Sequence, residues 1–382
     1  MGASVLSWRG LGKGPIWLQS PHLAAWQKRA LAEIQRRVPQ DPERVWVLSS
    51  GTQSVNQIKC IGLTRSNIVC SAESVNRHLS ATAADRWLLA IPDYHIGGFA
   101  ILARAALSGA QVVRLPRWSA GQFIEQVQDQ KITLTSLVPT QIFDLVRFGQ
   151  RAPASLRAIV VGGGALSPAL YKQARDLAWP VLPSYGLTET ASQIATAPLD
   201  SLLHKAYPAL RVLDHARVEL RAGRVLVGGG SVCDWLAIGR ADGSFNLEDP
   251  RREGWLPTED MAEWAEEGSL YLHGRRDQVI KRLGVLVGLA QVESDVRQAF
   301  ATAGVDGRVA VVAVSAEREG AELISLTDTA STLAAVEAAV SRYNSRVPGP
   351  QRLRRWAWVP EVMEGELHKV KRAELMARLR LR

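Results

Sequence analysis

The heptapeptide Ser184-Tyr185-Gly186-Leu187-Thr188-Glu189-Thr190 follows the apolar run Trp179-Pro180-Val181-Leu182-Pro183. Together they read as a short strand feeding a turn, with Gly186 supplying the permissive backbone. An aromatic face, a hydroxyl and a carboxylate are thereby presented at a strand end, and in α/β sheets ligands bind at the carboxyl ends of strands. Tyr185 could stack on a purine, Thr188 could donate to a phosphate, and Glu189 could hold a magnesium ion that bridges phosphate oxygens. Taken alone, the heptapeptide reads equally well as a core tyrosine beside a solvated turn.

Upstream, from Asn67 to Thr188, apolar strands alternate with helical patterns, which predicts a parallel sheet covered by helices. Strands are expected at Arg86 to Ile91, Gln111 to Leu115, Thr133 to Val138 and Leu156 to Val161. The intervening helices are expected near Ser71 to Ala83, Gly97 to Leu107, Ala120 to Gln128, Thr140 to Phe148 and Pro168 to Leu177. After Ile194 the pattern changes to short strands and turns, which predicts a small β subdomain. From Gln291 onward it predicts a compact α+β unit.

A chain of 382 residues can bury a large core and carry one smaller domain. The formal charge of +9 favours anionic partners, but the basic residues are scattered. Without a basic stripe or base-stacking motif, nucleotide and acid substrates explain the excess better than nucleic acid does. Three irregularly spaced cysteines, Cys60, Cys70 and Cys233, argue against a zinc site or a disulfide framework and fit a reducing compartment. No run of about 18 apolar residues offers a membrane span, so a cytoplasmic location is expected.

Other segments carry chemistry of their own. Ser49-Ser50-Gly51-Thr52 follows the apolar strand Val45-Trp46-Val47-Leu48, and its small residues would let backbone amides approach phosphate, with Lys59 supplying charge. A plain turn is the competing reading. His95, in Pro92-Asp93-Tyr94-His95-Ile96-Gly97-Gly98, stands at a strand end beside glycines; a structural histidine is the alternative. Arg104 falls on an otherwise apolar helix. A buried guanidinium needs an anion, and a snorkelling arginine does not. Gly162-Gly163-Gly164 precedes a helix capped by Ser167, and forms either a tight turn or a backbone surface flat enough for a ring.

Together these segments resemble the AMP-forming ligase superfamily of acyl-CoA synthetases, in family order from about Val45 to the end. Within that superfamily the likeness is closest to the o-succinylbenzoate-CoA ligases of menaquinone synthesis. The resemblance implies an α/β fold with a large N-terminal domain (1–274) of parallel sheet covered by helices plus a small β subdomain. A small mobile α+β C-terminal domain (275–382) would follow, hinged at Asp277. Ser49, Ser50, Gly51, Thr52 and Lys59 would form the phosphate loop, although Gln53, Ser54, Ile58 and Cys60 depart from its usual pattern. Gly162, Gly163, Gly164, Ser184, Tyr185, Gly186 and Thr188 would hold adenine and phosphate, with Glu189 on magnesium. Asp260 would accept the ribose hydroxyls, with Glu259 in place of the usual glycine crowding it, and Arg275 would contact the nucleotide. His95, Arg104 and Ser192 would line the acid pocket, Gly284 would face the coenzyme A thiol, and Lys369 would be the catalytic lysine, with His368 where glycine is usual.

The implied activity joins an aromatic carboxylic acid to coenzyme A through an acyl-adenylate, using ATP and magnesium. Another adenylating enzyme or acyl-CoA ligase, and a degenerate nucleotide-binding homologue, are the alternatives. The stretch before Val45 is much shorter than in the family, so a partner subunit, a homodimer included, would replace the missing wall, or the enzyme does without it.

Overall fold

The computed structural model describes residues 15–49, 57–265, 268–283, 285–316 and 320–363, with Val370, Arg372, Leu375 and Met376. Its organising element is an 11-stranded sheet. One half is parallel: Gln111–Arg114, Arg86–Leu89, Leu134–Leu137, Ala158–Val161 and Val181–Leu187 lie side by side in that order. Three inner strands, Arg86–Leu89, Leu134–Leu137 and Ala158–Val161, are short, mostly apolar and largely buried, because helices cover both of their faces, whereas the edge strand Gln111–Arg114 is partly exposed.

Ile96–Ser108 is apolar all round and buried along most of its length, since it packs between Arg65–Leu79 and the sheet. Arg65–Leu79 starts earlier than the sequence pattern suggests. Thr64 and Asn67 exchange side-chain and backbone hydrogen bonds in a capping arrangement that fixes its first turn.

The short strands after Ile194 extend this same sheet in antiparallel fashion. Val181–Leu187 pairs parallel with Ala158–Val161 on one side and antiparallel with Ser192–Thr196 on the other. Leu210–Val212, Ser269–Arg275, Leu256–Trp264, Arg224–Gly229 and Ala216–Arg221 then continue outward. Trp235–Arg240 and Phe245–Glu248 instead join Ile16–Leu18, Arg44–Ser49 and Gln57–Thr64 in a separate five-stranded sheet.

Gln57–Thr64 corrects the sequence reading, which put Lys59 in a loop. The segment is a strand paired on both sides, with Lys59 opposite Ser49 and Ile238. Gly62 within it is there for packing: a Cβ would come within 2.9 Å of both Trp46 and Trp235. Of the 12 tryptophans in the chain, Trp46, Trp87 and Trp179 are fully buried in the core.

From Val279 the chain has cores of its own. The hairpin Val279–Arg282/Val285–Gly288 and the helix Leu289–Thr302 are followed by Val309–Ala316, Gly320–Thr327 and Arg355–Trp358 in a three-stranded sheet, with Leu333–Asn344 against it. No helix among the described residues is long and apolar enough to cross a membrane.

Candidate active site

The strand Val181–Leu187 ends in a bulge, where the register shifts between Tyr185 and Gly186. The crossing chain passes so close that a Cβ on Gly186 would sit 1.9 Å from the Ser192 carbonyl oxygen, so glycine is required. A 3-10 turn, Thr188–Thr190, follows. Ala191 (φ 53°) and Ser192 (φ 105°) then take left-handed backbone to reverse the chain into Ser192–Thr196. The Thr190 hydroxyl closes the turn by accepting from Leu187 N at 3.0 Å.

This geometry gathers the expected nucleotide residues. Tyr185 is 8% exposed, and its Oη donates to Asp260 Oδ2 at 2.8 Å. Burial, and then the Asp260 charge, push the phenol well above its usual range, so it stays protonated and donating. Asp260 sits opposite Arg275 across neighbouring strands. Glu189 lies within the same field. Burial raises its carboxyl, as does the charge of Asp260, while its own backbone amide, Lys59 and Arg275 pull it down. Lys59 therefore reaches the site from its strand, and not from a loop.

The glycine run lies alongside. A Cβ on Gly162 would be 2.9 Å from Ser184 Oγ, and Gly163 has φ +76°. Ser184 Oγ donates to the Val161 carbonyl at 2.9 Å, tying the two strand ends together. Gly164 faces the ring of Pro139.

The expected crowding of Asp260 by Glu259 does not occur. Neighbours on a strand point to opposite faces, and Glu259 binds Arg224 at 2.6 Å and Arg276 at 2.9 Å. Arg276 begins the 3-10 turn Arg276–Gln278, which includes Asp277.

Of the three residues expected to line the acid pocket, Arg104 and Ser192 are in contact. His95 is the N-terminal flanking residue of Ile96–Ser108, its ring against Tyr94 at 4.6 Å, and Gly98 lets that helix start pass against the Pro92 carbonyl. Arg104, one helical stretch on, is 1% exposed. Its Nη2 donates to Ser192 Oγ at 3.1 Å, Nε has no hydrogen-bond partner, and no carboxylate among the described residues pairs with it. The Trp87 ring lies 5.9 Å from the guanidinium carbon. Burial lowers the Arg104 pKa to about 9, which leaves it cationic at neutral pH.

Ser50, Gly51, Thr52, Gly284 and Lys369 lie outside the described residues. Close to Lys369 in sequence, Val370 is buried, and Arg372 bonds Glu293, Gln278 and the Val311 carbonyl. Sequence reasoning had no role of its own for that arginine, which stands three places before Leu375, a residue the structure buries.

The sequence profile of the AMP-binding enzyme family matches residues 17–230, and the chain belongs to that family. Among curated proteins it is similar to the 2-succinylbenzoate–CoA ligase of Bacillus subtilis (strain 168), 31% identical over 291 residues, covering 72% of this chain and 58% of the relative. The enzyme of that name from Bacillus cereus (strain ATCC 10987 / NRS 248) is 31% identical over 286 residues, with 72% and 59% covered. The chain thus spans less than two thirds of these relatives' length. The fold is similar to o-succinylbenzoate CoA synthetase from Bacillus subtilis in complex with the acyl-adenylate intermediate OSB-AMP (TM-score 0.70, 25% identity, 87% of this chain and 68% of that one). The structure of the same enzyme with ATP and magnesium ion gives a TM-score of 0.70 at 26% identity, with 87% and 69% covered.

Proposed function

We propose that the chain is an AMP-forming acid–thiol ligase that activates o-succinylbenzoate with ATP and passes the acyl group to coenzyme A, as the names of its relatives state for them. One observation carries the reading: Tyr185, Glu189, Lys59, Asp260 and Arg275 converge at one sheet end, beside a buried guanidinium with no carboxylate partner among the described residues.

In the first step a substrate carboxylate oxygen attacks the α-phosphorus of ATP, forming the mixed anhydride and releasing pyrophosphate. Tyr185 presents its ring to adenine, Asp260 accepts from the ribose hydroxyls, and Lys59, Arg275 and Lys369 offset the charge that builds on the phosphoryl oxygens. Glu189 offers one carboxylate for magnesium, which typically takes one or two carboxylates together with phosphate oxygens; the ion would supply charge neutralisation. Arg104 and Ser192 hold the second carboxylate of the acid, with His95 lining the pocket. In the second step the thiol of coenzyme A displaces AMP. A turn of the 275–382 domain about Asp277 withdraws Lys369 and brings the Gly284 loop to the thiol. The enzyme works in the cytoplasm.

The test is formation of the coenzyme A thioester from o-succinylbenzoate, ATP and magnesium, followed together with pyrophosphate release. Tight ATP binding with no pyrophosphate released from this or any related acid would defeat the proposal.

A further inference from the structure

Behind Arg104 lies a second buried polar side chain to which the sequence assigned nothing. His215 is 9% exposed, and neither ring nitrogen makes a well-formed hydrogen bond, although the backbone of Gln193 lies beside it. Gln193, 4% exposed, follows the Ser192 that binds Arg104, and its Oε1 is also unpartnered. The Arg104 charge reaches the His215 ring, so Arg104 Nε and both His215 nitrogens, buried and without partners, belong to one buried neighbourhood. Orphaned groups of this kind are rare in folded proteins and mark places where a ligand or ion completes the bonding.

The ring is presented on a fixed support. Leu213 N donates to the Ile194 carbonyl at 2.9 Å, and Gly230 N donates to the His215 carbonyl at 3.2 Å. Asp214 is held by Ser74 and by Arg77, the latter at 2.8 Å. That carbonyl crosses Gly229 so closely that a Cβ there would lie 2.3 Å from it, in a backbone conformation (φ +119°) that favours glycine.

Its charge state is also set. Burial drives the imidazole down to about 4, and the Arg104 charge pushes the same way against Asp214. The ring is thus neutral at pH 7, with one N–H to give and one lone pair to receive.

Resting on the ligase reading above, we propose that His215 is a specificity-determining residue of the acid pocket: its N–H donates to the carboxylate remote from the reacting one, sharing that group with Arg104. A carboxylate has two oxygens and accepts only, so a cation on one and a neutral donor on the other satisfy it without a second buried charge. The site then discriminates a diacid from a monoacid of the same skeleton, because the monoacid leaves both donors unpaired.

The test compares wild type, His215→Gln and His215→Phe by calorimetry. The titrants are o-succinylbenzoate and its monoacid counterpart lacking the remote carboxylate, with magnesium and an α,β-methylene analogue of ATP present so that no chemistry occurs. We expect His215→Phe to weaken diacid binding roughly tenfold to a hundredfold, the usual range for a hydrogen bond to a charged group, and to leave the monoacid within about twofold. His215→Gln, which keeps a donor, retains most of the affinity. Nitrogen NMR of labelled histidine should show the His215 ring moving on addition of diacid and not of monoacid, which a structural role would not produce. Equal losses for both acids, an unmoved ring, or no preference of wild type for the diacid would each overturn the inference. A wild type that binds the diacid selectively but releases no pyrophosphate from ATP would instead count against the ligase reading alone. Melting curves identify a Phe variant that fails to fold, in which case the Gln variant and the NMR signal decide.

Discussion

Tyr185 Oη donates to Asp260 Oδ2 at 2.8 Å, joining the aromatic face proposed for adenine to the carboxylate proposed for ribose. The two residues come from strands far apart in sequence, and the bond fixes the distance between two parts of one nucleoside. Tyr185→Phe keeps the ring and removes the tie. We expect the KM for ATP to rise about tenfold, the scale of a hydrogen bond to a charged acceptor, with kcat changed much less. Pyrophosphate release at varied ATP measures this, and an unchanged KM would show that Asp260 is positioned without the phenol.

Glu189 stands in a surrounding that opposes its charge. Its folded-state pKa is raised, so whatever stability its carboxyl contributes is present at acid pH and is lost as pH rises through that raised value. Glu189→Gln should therefore melt at or above the wild-type temperature at neutral pH, yet lose the magnesium dependence of ATP binding. Scanning calorimetry together with titrations with and without magnesium checks both halves. A destabilised variant that still binds ATP with metal would reverse the assignment.

Glu259 couples the large sheet to the turn containing Asp277 through Arg224 and Arg276. Arg276 is largely exposed, so these pairs are weak and salt-sensitive. Glu259→Gln should change the ratio of the adenylation and thioester-forming rates by no more than about fivefold, and raised ionic strength should reproduce the shift in the unmodified protein. Single-turnover rates of each half-reaction across a salt series settle it.

Asp85 anchors Arg157, Thr133 and the Thr82 amide in a partly buried network. Burial alone would raise its carboxyl, but the bonds from Arg157, Thr133 and Thr82 outweigh it and hold the pKa at about 2. A depressed carboxyl stabilises the fold above its unfolded value, and that contribution is lost as pH falls toward 2. Asp85→Asn should cost roughly 2 kcal/mol at neutral pH and nothing at the acid limit. Denaturant unfolding as a function of pH tests the sign.

Lys369→Ala should abolish acyl-adenylate formation and spare thioester formation from preformed acyl-AMP, since one lysine cannot stay over the phosphate while the thiol enters. Equal loss of both half-reactions would remove Lys369 from its proposed step.

Much of this was legible in advance. The alternation of apolar strands and helices from Asn67 to Thr188 emerges as the parallel half of the sheet, because strands buried on both faces must be continuously apolar. The cost of burying a guanidinium left Arg104 either snorkelling or bound to an anion; it is buried, and the partner it finds is the neutral hydroxyl of Ser192, a pairing the sequence did not indicate. Gln57–Thr64 was not legible as a strand: Lys59 and Gly62 look like loop residues until the facing tryptophans are known. The hairpin Val279–Gly288 was hidden by its charges, and the Glu259 side chain turned out to face away from Asp260, a matter of strand parity that spacing to a motif does not reveal. His215 carried no signal at all, since its neighbours come from Ile96–Ser108 and Ser192–Thr196, distant in the chain.

The bulge after Tyr185 has a kinetic consequence. Tyr185 and Glu189, proposed for the nucleotide, are followed only a few residues later by Ser192, which touches Arg104, so in the proposed reaction a single tight reversal would be a common rail for both co-substrates. Disturbing residues 184–193 should therefore shift the Michaelis constants for ATP and for the acid in concert, and variants selected for a new acid are expected to carry altered nucleotide affinity as a by-product.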